Sequence, residues 1–67
     1  MENKQLICNL LCETLQATRN QSDLKKLRYN DETETVTITW ESGGQRIINV
    51  AMDSGTAMIR DIMKNID

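Results

Sequence analysis

Residues 35–40 read TVTITW, and this alternation of threonine with larger apolar side chains decides the fold. Val36, Ile38 and Trp40 project to one side of an extended chain, and the three threonines project to the other. Such strict alternation predicts a half-buried strand, with its apolar side on a core and its threonine side in water.

The neighbouring segments extend this strand into a meander. ESGGQ follows directly and predicts a glycine-bearing hairpin turn, after which residues 46–51 form a return strand with Ile48 on the core side. Before the central strand, Leu27 and Tyr29 alternate about one charged residue, which predicts a short first strand. Short links between such neighbours favour antiparallel pairing.

Helical periodicity frames the meander at both ends. Apolar residues recur at helical spacing from Glu2 to about Thr18, and again in an amphipathic segment that follows DSGT, residues 53–56. DSGT predicts a helix start, because Asp53 or Ser54 can accept hydrogen bonds from the free amides of the first turn. An anion site at this helix start is the alternative, which the negative charge and the lack of a nearby lysine both oppose.

The element order is therefore α-β-β-β-α, an α+β fold in which residues 1–67 form one domain. We expect a three-stranded antiparallel meander with both helices on one face, and a plain α-β-β-α order is the alternative. Matching the apolar sides of helices and strands predicts one shared core, made of Leu11, Leu15, Val36, Ile38, Trp40, Ile48, Ile59 and Ile62.

The composition argues against several function classes. The chain has 67 residues and a formal net charge of −2, so no strong overall field draws it to nucleic acid or to an anionic membrane. It has no apolar run long enough to span a bilayer, and its first residues lack the basic segment of a signal peptide. We therefore expect a cytoplasmic protein with reduced thiols. Without histidine or an activated nucleophile, we expect neither catalysis nor a cofactor.

Two cysteines, Cys8 and Cys12, lie four residues apart on the predicted first helix. Their Cβ atoms would be about 5–6 Å apart on a helix, whereas a disulfide needs about 3.5–4.5 Å. Two thiolates are half of a zinc site that a second copy of the chain could complete. We favour the simpler interpretation, in which both are small buried side chains and no metal is bound.

The first helix carries more apolar surface than one sheet can cover. Its apolar side chains span well over half of the circumference, and only one polar stripe is left, formed by Gln5, Asn9, Glu13 and Gln16. This excess predicts an intermolecular contact, most simply with a second copy of the chain. Leu6 and Leu10 are the favoured interface pair, and Cys8 with Cys12 is the alternative.

The α-β-β-β-α order resembles that of the double-stranded RNA-binding domain. The resemblance implies a lysine cluster at the start of the last helix, where this chain reads SGTAMIRDIMK and has Arg60 as its first base. Double-stranded RNA is bound through its phosphates and hydroxyls, so the missing cluster removes the main source of affinity. A nucleic-acid-binding or regulatory role would instead require a basic patch assembled in three dimensions from Lys25, Lys26, Arg28 and Arg46.

The stretch TVTITWESGG…INVAMDSGTAMIRDI is similar to the C-terminal half of small proteins encoded on bacterial conjugative elements. This resemblance covers about half of the chain and implies a bacterial accessory gene of mobile DNA. The resemblance implies no particular biochemical activity. Together, these observations favour a non-catalytic interaction module whose partner is another protein or a second copy, with nucleic acid and membranes as disfavoured partners and an enzyme as the most disfavoured class.

Overall fold

The computed structural model describes residues 3–18 and 23–66, and it shows the predicted α-β-β-β-α order. The elements are α1 (Lys4–Gln16), β1 (Leu24–Asn30), β2 (Thr35–Trp40), β3 (Gln45–Asn49) and α2 (Gly55–Ile66). The strands form an antiparallel sheet in the order β1-β2-β3, so the meander is confirmed and the α-β-β-α alternative is wrong. Across the described residues, no helix combines the length and apolar character needed to cross a membrane.

The central strand β2 has the predicted register. Val36 and Ile38 are 0% exposed, while Thr37 between them is only partly covered on the opposite face. A shift of one residue would exchange these two faces, so their burial fixes the register. Ile38 lies between Leu27 of β1 and Arg46 of β3.

The first strand is longer than predicted because it contains a β-bulge. Leu24 pairs with Trp40 and Lys26 pairs with Thr39, so Lys25 is an extra residue between them. Leu24 and Leu27 are three positions apart and break the two-residue alternation, so the sequence pattern starts the strand too late. The extra residue turns Leu24 back to the core face, where it is fully buried.

The core lies between the apolar face of the sheet and both helices. Of the predicted members, Leu15, Val36, Ile38 and Ile62 are buried, while Leu11, Trp40 and Ile48 are half-buried against them. Ile59 is also only half-buried. The prediction placed the core too far toward β3, because α1 packs along β1. The core also contains four residues that the predicted set lacked, and Cys8 and Cys12, whose burial was predicted separately. The four are Leu24, Leu27, Val50 and Met58.

Each helix begins at a side-chain cap, and DSGT is the start of α2. The Ser54 hydroxyl accepts a hydrogen bond from the Ala57 amide at 3.2 Å, and the Ser54 carbonyl accepts one from the Met58 amide at 2.9 Å. Ser54 is therefore the N-cap residue. The Asn3 side chain plays the same part for α1 by accepting from the Leu6 amide at 3.0 Å, so α1 begins after the predicted start at Glu2, which lies outside the described residues.

Asp53, the residue before this cap, makes the folded state sensitive to pH. A hydrogen bond with the Asp61 side chain raises the pKa of Asp53, and desolvation and the Asp61 charge raise it further, while Lys4 acts in the opposite direction. One Asp53 carboxylate oxygen, Oδ2, is buried without a hydrogen-bond partner among the described residues. Because the pKa is higher in the folded than in the unfolded chain, stability is lost as the pH rises through the folded value.

We therefore expect Asp53→Asn to be more stable than the wild type at pH 7, with the difference shrinking as the pH falls toward the ordinary carboxyl pKa of 3.8. Urea midpoints measured from pH 4 to pH 7 check this result. Asp31→Asn, in the exposed turn between β1 and β2, is the control for removing one negative charge. A variant that is less stable than the wild type at pH 7 would contradict the expectation.

Candidate interaction surfaces

The solvent side of α1 carries two exposed leucines. Leu6 is 51% exposed and Leu10 is 54% exposed, and they are one helical turn apart. With about 3.6 residues per turn, they lie across the helix from Cys8 and Leu15, which face the core. These leucines therefore contribute little to the fold of their own chain, and their apolar surface stays open to another molecule.

The alternative interface pair, Cys8 and Cys12, is wrong for this fold. Both thiols are free, and both side chains are buried in the core, Cys8 completely. Burial raises the pKa of Cys8 to about 11, and the nearby Cys12 adds to the increase. Burial also raises the pKa of Cys12. The interpretation of both residues as small core side chains is confirmed.

A basic groove, defined by Lys25, Lys26 and Arg28, crosses the helix-free face of the sheet. Its volume is about 380 Å³, and the remaining lining side chains are Thr37, Thr39 and Gln45. Lys26 pairs with Thr39 and Arg28 pairs with Thr37, so cationic and hydroxyl groups are neighbours across β1 and β2. The bulge adds Lys25 to this row. Three of the four predicted basic residues thus come together.

Arg46 does not join the basic groove. It pairs with Ile38, whose side chain is in the core, so Arg46 projects toward the helix-covered side of the sheet. Its Nη1 atom donates to the Asn65 carbonyl oxygen at 3.3 Å, near the end of α2. The predicted patch of four residues is therefore wrong at this position, since residues 46 and 48 of β3 share a face.

Helix α1 lies along the outer edge of β1 and bonds to several of its backbone groups. Gln5 Oε1 accepts from the Tyr29 amide at 3.0 Å. Further along, Gln16 Nε2 donates to the carbonyl oxygens of Leu24 at 2.8 Å and Lys25 at 3.2 Å, and the Cys12 thiol also approaches the Lys25 carbonyl. Both glutamines belong to the predicted polar stripe of α1, and their contact with β1 was not predicted. The sequence did contain one signal for this contact, since the amide group of glutamine can both donate and accept hydrogen bonds.

The opposite edge of the sheet, at β3, is open. The backbone amides of Trp40 and Val50 donate hydrogen bonds that continue the pairing of β2 with β3. In this pairing, the backbone N–H and C=O groups of the even-numbered β3 residues point toward β2. The backbone N–H and C=O groups of Gln45, Ile47 and Asn49 therefore point outward. Within residues 3–18 and 23–66, no other element bonds to them. The Ile47 side chain is 66% exposed on the helix-free face beside this edge.

Comparisons of the chain with protein-family models, with curated proteins and with solved structures found no match. Nor does any group of three potential ligands in the described part of the chain approach closely enough to hold a metal ion. The function proposed below is therefore drawn from the chain's own surfaces, which are the α1 leucines, the basic groove and the open edge of β3.

Proposed function

We propose that this chain is a non-catalytic interaction module that binds another protein chain through Leu6 and Leu10 of α1. The observation that carries this proposal is the exposure of both leucines on the side of α1 away from the core. Adjacent exposed apolar side chains are a frequent feature of contact surfaces, since their burial stabilises a complex by about 25 cal/mol for each Å² removed from water. The simplest partner is a second copy of the chain.

The state of the two thiols supports a non-catalytic role. A thiol attacks as its thiolate, and a pKa of about 11 leaves Cys8 protonated at neutral pH. Cys12 is shifted in the same direction, and both side chains are covered by their own core. They therefore act in packing rather than in nucleophilic chemistry.

The setting that we propose is the cytoplasm of a bacterium that carries mobile DNA. The similarity of TVTITWESGG…INVAMDSGTAMIRDI to proteins of conjugative elements supports an accessory gene of such an element. Two free thiols suit a reducing compartment. In this setting the module would act by assembling chains rather than by converting a substrate.

Changing Leu6 and Leu10 together to glutamate tests the proposed contact. We expect the variant to lose an association step and to sediment with a lower mass than the wild type at the same concentration, because four buried carboxylates would face one another in a symmetric contact. The fold should persist, since both positions are exposed. Sedimentation velocity over a range of concentrations and far-ultraviolet circular dichroism check the two expectations.

A matched control is Asn9→Glu with Thr14→Glu, which adds the same charge to the exposed side of α1 on either side of the leucines. This control should associate like the wild type if the apolar surface, rather than net charge, drives the contact. A wild-type chain that stays monomeric at millimolar concentration would contradict self-association through α1.

A nucleic-acid-binding role is the second candidate, and the basic groove favours it. Lys25, Lys26 and Arg28 are exposed on one face, and no carboxylate among the described residues pairs with them. Two features oppose it. The whole chain has a net charge of −2, and the backbone bond between Asp23 and Glu41 places two acidic residues at the strand ends next to Lys25.

We expect binding of the groove to nucleic acid to be weaker than micromolar at physiological salt. Three phosphate contacts give a slope of about −2 to −3 for log affinity against log salt, which leaves little affinity at that ionic strength. Fluorescence anisotropy with labelled single- and double-stranded oligonucleotides measures this. Submicromolar binding that is lost when all three basic residues become glutamine would promote this second candidate over the first.

A further inference from the structure

We infer that β3 pairs with β3 of a second copy of this chain, in antiparallel orientation, to form a continuous six-stranded sheet. Ile47 lies at the two-fold axis of this pairing. The inference is independent of Leu6 and Leu10, which lie on α1 beyond the other edge of the sheet. It concerns the backbone of an edge strand and the exposed side chain beside it.

The two edges of the sheet differ in how they are protected. At β1, side chains of Gln5 and Gln16 bond to three backbone groups, and three basic side chains are nearby. At β3, the outward groups of the strand have no partner from another described element. Proteins discourage strand addition with charges, proline, bulges or a covering element. The β1 edge has charged side chains, a bulge and a covering helix. The β3 edge has none of these features at Gln45, Ile47 and Asn49, whose backbone groups point outward.

In one register, β3 is complementary to itself. With Ile47 opposite its symmetry mate, Gln45 lies opposite Asn49 of the second copy, and the whole five-residue strand is paired. The three outward positions are uncharged, so no like charges meet on the helix-free face. A shift that centres the pairing on Arg46 would place two guanidinium groups directly opposite each other, which is destabilising.

The Ile47 side chain itself favours this pairing. This β-branched side chain is 66% exposed, although its cross-strand neighbour Thr37 is partly covered. In the paired sheet, Ile47 would contact Ile47 of the second copy and lose much of this exposure. The two-fold axis runs perpendicular to the sheet, so the helix-free faces of both copies join on one side. The basic grooves then flank a shared central strip of threonine and isoleucine.

A cysteine cross-link tests the register directly. Cα atoms of a hydrogen-bonded antiparallel pair are about 5.5 Å apart, within the range of about 4.4–6.8 Å that a disulfide accepts. We expect Ile47→Cys to form a covalent dimer rapidly under mild oxidation. Thr37→Cys is the matched control on the same face, because the central strands of the two copies would be about 14 Å apart, or three strand spacings. The native thiols are buried and give little background.

Ile47→Lys provides the second measurement. It places like charges opposite each other at the axis, so we expect the strand-paired dimer to dissociate while the urea midpoint of the monomer stays nearly unchanged. Leu6→Glu with Leu10→Glu should leave the Ile47→Cys cross-link intact, which separates this inference from the proposed α1 contact. Equal cross-linking by Thr37→Cys, or an Ile47→Lys protein with the mass distribution of the wild type, would overturn strand pairing.

Discussion

Replacing Ile38 by alanine is expected to unfold a large fraction of the chains under conditions where the wild type is folded. Ile38 is completely buried on the central strand. Truncating such a side chain costs about 2–5 kcal/mol, through lost transfer free energy and the cavity that remains. A domain of 67 residues has a total stability of about 3–10 kcal/mol, so this one change removes much of it.

Thr37→Ala is the control for this result, because it changes the neighbouring residue on the opposite face of the same strand. We expect its cost to stay below about 1 kcal/mol, the range of strand propensity alone. Urea denaturation followed by fluorescence of Trp40, the single tryptophan, measures both variants. Similar losses of stability for the two substitutions would mean that the sheet does not have one buried and one open face.

Replacing Gly43 by alanine is expected to destabilise the domain by about 1–3 kcal/mol, which is the typical cost of a strained backbone conformation. Gly43 lies in the β2–β3 hairpin with φ of +93°, in the left-handed region that side chains of L-residues rarely adopt. A Cβ atom at this position would meet nothing within 4 Å. The expected loss therefore comes from the backbone conformation and not from a clash.

The adjacent Gly44 separates these two causes. A Cβ atom at Gly44 would make ordinary contacts, at 3.8 Å to Ser42 Oγ and 3.9 Å to Trp40 Cε3. Gly44→Ala should therefore be neutral or stabilising by up to about 1 kcal/mol, because alanine restricts the unfolded chain. A chain synthesised with D-alanine at Gly43 should regain the stability lost with L-alanine. Urea midpoints of the three proteins give the comparison, and equal losses for L- and D-alanine would contradict it.

The parts of the fold that the sequence predicted are those in which local period and burial agree. TVTITW has a strict two-residue alternation, and the observed sheet buries the side that this alternation selects. The start of β1 could not be predicted from the residue pattern, because a bulge changes the strand pairing and leaves no clear mark in the composition. By simple alternation from Leu27, Leu24 would lie on the face opposite the core. The extra residue Lys25 brings it back to the core face.

The sequence predicted the residues of an interaction surface only where that surface lies on a single helix or strand. The exposure of Leu6 and Leu10 follows from their places on the circumference of α1, although the pattern alone could not say which apolar side chains would face the core. Cys8 and Cys12 turned inward because α1 packs beside β1 rather than centrally over the sheet. Arg46 could have been excluded from the basic patch, since it shares strand parity with Ile48.

The position of α1 against β1 has a consequence for strand addition, because it leaves β3 as the open edge of the sheet. A sheet with two free edges can recruit copies on both sides without end, which is the geometry of fibril growth. Two chains joined at β3 would instead present a helix-covered β1 at each end, and strand addition would terminate at a stoichiometry of two. In such a pair, the contacts of Gln5 and Gln16 with β1 would prevent a further strand from adding there, and releasing α1 from β1 would allow strand addition to continue.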